Sequence, residues 1–113
     1  MFSTVYVFSL LALVSCQSGI IFTPPEYGLW KLTHGLESFH PDTARQLWLH
    51  VCTQEYGESR RADFGPYNGY TALFCHGPDH NGYEEDKTSH TIDVLNGALD
   101  PATHKWEAVQ VQF

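Results

Sequence analysis

The densest run of side chains that could perform chemistry follows Cys75. His76, Asp79 and His80 place two imidazoles and a carboxylate within five residues. Imidazole and carboxylate groups bind zinc and copper, so these three residues are candidate metal ligands. Gly77 and Pro78 exclude a helix that would bring both imidazoles to one face, and a polar turn explains the same residues without a metal. No cofactor is expected.

Acid–base catalysis is a second possibility, because the chain holds seven histidines. Small secreted ribonucleases and glycosidases use His and Glu as proton donors and acceptors. No spacing singles out a pair, so no catalytic residue is predicted, and a small hydrolase is the alternative function. Its candidate residues are His50, His76, His90, Glu55 and Glu107, with Arg60 or Arg61 to hold an anion.

Tyrosines in turn-rich segments offer a third possibility, the binding of a partner. Tyr67, Asn68 and Tyr70 surround one Asn-Gly turn, and Tyr83 follows another. Exposed aromatic side chains stack on sugars and anchor protein interfaces. The leading hypothesis is therefore a non-enzymatic interaction protein that uses these four residues, within loops 64–70 and 76–90.

The N-terminal segment predicts export. The first charged residue is Glu26, and residues 1–16 are apolar apart from small hydroxyl side chains. Such a stretch is shorter than the roughly 20 apolar residues that cross a bilayer, and it fits a signal peptide. We expect cleavage after Cys16, or alternatively after Ser18, which leaves one secreted domain over residues 17–113. The other interpretations are a lipidated Cys16 and a buried N-terminal helix.

The cysteine count supports export, and the charge limits the class of partner. Removal of residues 1–16 leaves Cys52 and Cys75, which should form a disulfide in an oxidising compartment; two free buried thiols are the alternative. The chain has 13 acidic and 6 basic residues, a net charge of −7, and no basic surface for nucleic acid or an anionic membrane. The expected partner is an extracellular or host protein or a polysaccharide, bound by a monomer.

The first half of the chain predicts three elements. Pro24 and Pro25 favour an extended lead-in over residues 17–27. Residues 28–33 alternate as a strand, with Leu29 and Lys31 on one face and Trp30 and Leu32 on the other. Apolar residues at helical spacing predict a helix over residues 42–56, with Asp42 as its N-cap and Gly57 as its stop. A strand over residues 46–53 is the alternative.

The second half predicts hairpins, because Asn-Gly pairs favour tight turns. The pairs lie at residues 68–69, 81–82 and 96–97. Strands are expected at 64–67 and 70–75 around the first pair, at 91–95 before the third, and at 105–113 from the alternation of Val109, Val111 and Phe113. The predicted fold is α+β, with one amphipathic helix on a small, mainly antiparallel sheet of four or five strands and one disulfide.

The overall profile is an apolar leader, a short acidic domain and two cysteines without a catalytic signature. It is similar to small secreted proteins of filamentous fungi, including effector candidates delivered to hosts. That resemblance implies binding to a host partner. Two folds of such proteins are a small β-sandwich with one disulfide and a ribonuclease-like α+β fold without catalytic residues. The predicted helix over residues 42–56 argues against the first.

Overall fold

The computed structural model describes residues 21–57 and 61–112. The predicted signal sequence, its cleavage site, Arg60 and Phe113 lie outside these residues. Within them the chain forms two α-helices, a short 3₁₀-helix at Leu36–Ser38 and five strands. In chain order the elements are β1 (Trp30–His34), α1 (Pro41–Tyr56), β2 (Arg61–Tyr67), β3 (Tyr70–Pro78), β4 (Glu84–Asp86), α2 (Thr88–Ala98) and β5 (Glu107–Gln110).

The five strands form one sheet in which every described pairing is antiparallel. The order is β2–β3–β1–β5, and β4 pairs with the C-terminal end of β3. Both helices pack on one face, which we call the inner face, and this packing confirms the predicted α+β fold. Alternation along β1 places Leu32 on the inner face and Leu29 on the outer face, as the sequence predicted.

Helix α1 contributes four buried residues to the inner core. Ala44, Trp48, Val51 and Cys52 are buried, which confirms the predicted apolar stripe. Trp48 stacks on Trp106 with ring centroids 6.0 Å apart. The disulfide between Cys52 and Cys75 ties the helix to β3, and this predicted bond is confirmed.

The ends of α1 confirm one prediction and correct another. Gly57 caps the C-terminus with φ 60°, in the left-handed region that favours glycine. The N-cap is His40 and not Asp42, because Pro41 occupies the first helical turn, where its missing N–H costs nothing. Asp42 lies inside this turn, and its backbone N–H donates to His40 Nδ1 at 3.2 Å.

Helix α2 replaces the predicted strand at 91–95 and the predicted hairpin at Asn96-Gly97. Thr88, Thr91, Ile92 and Leu95 are buried at spacings of three and four residues, which is the period of a helix. Asn96 holds the following chain instead of turning a hairpin. Its Nδ2 donates to the Trp106 carbonyl at 3.0 Å, and the Trp106 N–H donates to its Oδ1 at 2.8 Å.

The other two Asn-Gly pairs lie in hairpins, as predicted. Asn68 and Gly69 have φ values of 51° and 82°, the positive pair that a type I′ turn requires, and they join β2 directly to β3. Asn81 and Gly82 belong to a longer loop over residues 79–83. The predicted C-terminal strand is present but shorter, at Glu107–Gln110.

Candidate functional site

The outer face of the sheet is partly covered by the lead-in over residues 21–28. Phe22 packs between Tyr67 and Phe74, with ring centroids 5.5 and 6.0 Å away. This contact closes the half of the outer face that β2 and β3 form. On the half formed by β1 and β5, Leu29 is fully buried, but the part beyond it that includes Lys31 and Val109 is exposed in the described part of the chain, and we call this part the open half of the sheet.

Lys31 and Val109 occupy the centre of this open half. They are direct cross-strand partners on β1 and β5, so their side chains lie side by side on the same face. Both are exposed, and Val109 keeps 52% of its surface accessible. The Lys31 ammonium lies 5.4 Å from the centroid of the Tyr70 ring, within range of a cation–π contact.

The tyrosines of the first hairpin extend this surface. Tyr67 and Tyr70 form a direct cross-strand pair, and their rings meet edge to face with centroids 6.2 Å apart. Both are half-buried, and so is Val111, which packs on the buried cluster of Phe22, Leu29, Ala72 and Phe74. We call Lys31, Tyr67, Tyr70, Val109 and Val111 the outer patch.

The four predicted binding residues do not form one surface. Tyr67, Asn68 and Tyr70 come together at the β2–β3 hairpin. Tyr83, which is 73% exposed, follows the loop at the opposite end of β3. That strand is nine residues long, and at about 3.4 Å per residue it separates the two ends by about 27 Å.

The sequence contained a signal for Lys31 and Val109, although neither was predicted as a site residue. Lys31 was expected to share a face with Leu29, and Val109 with Val111. What joins them is the pairing of β1 with β5, two strands more than 70 residues apart in the chain. Alternation within each strand fixes its faces, but it does not show which strands are neighbours.

A polar cluster fixes the lead-in at its other end. The Tyr27 ring stacks on the His76 ring with centroids 4.7 Å apart, and its hydroxyl donates to Glu84 Oε2 at 2.7 Å. The same carboxylate oxygen lies 3.3 Å from His76 Nδ1 and 3.2 Å from an Arg61 guanidinium nitrogen. Three strands and the lead-in therefore meet at one carboxylate.

His76 is fully enclosed by these contacts. Its Nε2 lies 3.3 Å from the Gly28 carbonyl, so both ring nitrogens face protein oxygens. Gly28 must be glycine here, because its φ is 66° and a Cβ would lie 2.7 Å from His76 Nε2. A ring with no exposed surface and two internal neighbours is suited to holding the lead-in on the sheet.

The other two metal candidates lie outside this enclosure. The Asp79 carboxylate accepts from the backbone N–H groups of Asn81 and Tyr83 at 2.8 and 3.0 Å, as a turn-stabilising Asp does. His80 is exposed in the same loop. Across residues 21–57 and 61–112, no three His, Cys, Asp or Glu side chains are arranged to hold a metal ion. The geometry of the described residues therefore lends the metal hypothesis no support.

Two catalytic candidates, His90 and Glu55, do come together. His90 Nε2 lies 3.4 Å from Glu55 Oε1, between α2 and α1, beside an open groove that Tyr56, Lys87 and Asp93 help to line. Glu107 pairs instead with His34 at 3.4 Å, and His50 is an exposed residue of α1. Acid–base catalysis stays the alternative hypothesis, for which the sequence singled out no pair.

The Tyr27–Glu84 hydrogen bond shifts the pKa of both groups. Donation to the Glu84 carboxylate, with further contributions from burial, raises the pKa of Tyr27 from its ordinary 10.0 to about 12. The same bond is the main reason that the pKa of Glu84 is lowered, with Arg61 and His76 adding to the effect. The hydrogen bond therefore requires an ionised Glu84 carboxylate and a neutral Tyr27 phenol.

These shifts predict how the Tyr27→Phe substitution behaves with pH. The Tyr27 contribution to stability is present below pH 10.0 and is lost as the pH rises towards about 12. The Glu84 contribution is present above 4.5 and is lost as the pH falls through its lower folded value. The variant should therefore be less stable than the parent at neutral pH, by a margin that shrinks in strong acid and in strong base. Urea unfolding across this range measures the margin, and a pH-independent margin would contradict the pairing.

Comparison with known proteins gave no match: no family model, no curated protein and no solved structure matches this chain. In the part of the chain that the structure describes, no helix has the length and apolar character needed to cross a membrane.

Proposed function

We propose that this chain is a small secreted protein that binds another protein through the outer patch. The observation that carries the proposal is the uncovered pair of Lys31 and Val109 beside half-buried Tyr70. In the described part of the chain, the lead-in covers one half of the outer face, while Lys31 and Val109 stay exposed on the other half, so an aliphatic surface with an aromatic neighbour remains in solvent.

The composition of the outer patch favours a protein partner over a polysaccharide. Tyrosines with aliphatic neighbours are typical of the centres of protein interfaces. A sugar site adds polar groups that bind hydroxyls, whereas the centre of the outer patch pairs Lys31 with the aliphatic side chain of Val109. Binding to a polysaccharide is therefore an outcome of the test and not the proposal.

Secretion is the second part of the proposal. The Cys52–Cys75 disulfide supports it, because such bonds persist in oxidising compartments and are rare in reducing ones. The apolar leader over residues 1–16 and the acidic charge also support it. An effector-like role, in which the partner is a host protein, follows from the resemblance of the whole profile to small secreted fungal proteins.

Two matched variants test the binding surface. Val109→Asp places a charge at the centre of the outer patch, and Tyr83→Ala removes a more exposed aromatic residue from the far end of β3. The protein is secreted from the full coding sequence and immobilised, and extracellular proteins that bind to it are collected. We expect the Val109→Asp variant to capture at least about tenfold less of the partner protein, because binding would desolvate the new charge. The Tyr83→Ala variant should retain the partner. Quantitative mass spectrometry of the captured material measures both, and equal retention by the two variants would contradict the proposal.

A further inference from the structure

Lys31 differs from the other basic residues that the structure describes in having no oxygen partner. Arg45 and Arg61 pair with Asp63 and Glu84 at 2.9 and 3.2 Å. Lys87 pairs with Glu85 at 2.6 Å, and Lys105 donates to the Asn96 carbonyl at 2.8 Å. Among the described residues, the Lys31 ammonium forms no hydrogen bond or ion pair, and it lies 5.4 Å from the centroid of the Tyr70 ring.

This unpaired cation is unusual in a chain with a net charge of −7, in which acidic groups are abundant. The acidic residue of the neighbouring strand, Glu107, has its carboxylate 3.4 Å from His34 Nδ1. Lys31 has Val109 as its cross-strand partner and the Tyr70 ring near its ammonium, and Glu107, which alternation places on the same face of β5 as Val109, forms no ion pair with it. An ammonium in this setting is available to an anion from outside.

We infer that the partner protein docks an Asp or Glu carboxylate on Lys31, with apolar side chains around it packed on Tyr70 and Val109. This inference rests on the proposed function and adds to it the chemistry of the partner. A partner that covers Val109 and Tyr70 removes water from around Lys31, and a desolvated ammonium requires an anion. A basic partner would be repelled at the same point.

The negative charge of the whole chain does not oppose this contact. At physiological ionic strength the Debye length is about 8 Å, so charges elsewhere on the surface are largely screened. The contact at Lys31 is local, and its main effect is to select and orient the partner. The cation–π contact with Tyr70, which is weak at an exposed site, favours this position of the ammonium before the partner arrives and so reduces the entropy lost on binding.

A displayed library of random 12-residue peptides tests the inference without knowledge of the natural partner. The library is selected against the protein secreted from its full coding sequence, and the enriched peptides are then measured against three variants. Lys31→Glu reverses the charge within the outer patch. Lys105→Glu makes the same change in net charge at a second exposed lysine, where the side chain donates to a backbone carbonyl. Val109→Asp disrupts the outer patch itself.

The expected result is a set of peptides with an Asp or Glu between apolar residues. Their affinity should fall by about tenfold or more with Lys31→Glu and with Val109→Asp, and it should be unchanged with Lys105→Glu. Peptides that lose affinity with Val109→Asp but not with Lys31→Glu would overturn the inference and leave the proposed function standing. Enriched peptides that are insensitive to Val109→Asp, or a failure to enrich any, would count against both. Circular dichroism of each variant confirms that the fold is retained.

Discussion

Replacement of Trp48 by alanine is expected to lower the free energy of unfolding by about 3–5 kcal/mol, as for a fully buried aromatic residue. Trp48 has no accessible surface and lies between α1 and the sheet. It stacks on Trp106, and its indole N–H donates to the Phe74 carbonyl at 3.0 Å. Its loss removes the stacking on Trp106 and the hydrogen bond that joins α1 to β3.

The Trp48→Phe variant separates the two parts of this effect. It keeps an aromatic ring in the core but removes the indole N–H that donates to the Phe74 carbonyl, and the loss of one such hydrogen bond costs about 0.5–1.5 kcal/mol. Urea unfolding of both variants gives the two free energies. A loss below about 1 kcal/mol for Trp48→Ala would show that the helix does not pack on the sheet in this way.

Removal of the disulfide is expected to have the next largest effect. Cys52 and Cys75 have a sequence separation of 23. Closing a loop of this length lowers the conformational entropy of the unfolded chain and so raises the free energy of unfolding by about 3 kcal/mol. The Cys52→Ala, Cys75→Ala double variant should lose about that much stability. Both side chains are fully buried, so the loss of their sulfur atoms from the core adds to it.

Reduction of the unchanged protein is the matched control. Thiol reductant removes the bond and leaves both sulfur atoms, so it should reproduce most of the loss in a denaturant titration. Two cysteines that react with an alkylating reagent in the native, secreted protein would contradict the bond. They would also remove the main structural support for an oxidising compartment.

Local patterns in the sequence predicted those parts of the fold that depend on neighbouring residues. The α1 stripe was predicted because Ala44, Trp48 and Val51 fall on one side of a helix regardless of what packs there. The Asn68-Gly69 hairpin was predicted because both residues adopt the positive φ that the turn requires. In each case the physical cause lies within a few residues of its effect.

The errors came from residues whose roles depend on distant partners. Asn96 followed by Gly97 is a turn signal in isolation, but here the Asn96 side chain bonds both backbone groups of Trp106, and this contact favours the end of a helix. The helical pattern of α2 was not recognised because two of its buried positions hold threonine, a polar residue. Thr88 is buried because its hydroxyl accepts from the Cys75 N–H at 3.0 Å.

The candidate site divides in the same way. Tyr67 and Tyr70 were predicted together because one hairpin joins them. Tyr83 was grouped with them by residue type alone, and the length of β3 separates it from them. Lys31 and Val109 were missed because they become neighbours only when the first and last described strands pair.

Site-specific photo-crosslinking tests the proposed binding surface most directly. A photoreactive phenylalanine analogue is placed at position 109, or at position 83 as the control. The secreted protein is then illuminated in the presence of the proteins of its natural surroundings, and a covalent adduct shows which position contacts a partner protein. We expect a discrete protein adduct at position 109 and none at position 83. An adduct at position 83 alone, or none at position 109, would show that the open half of the sheet is not where this protein binds.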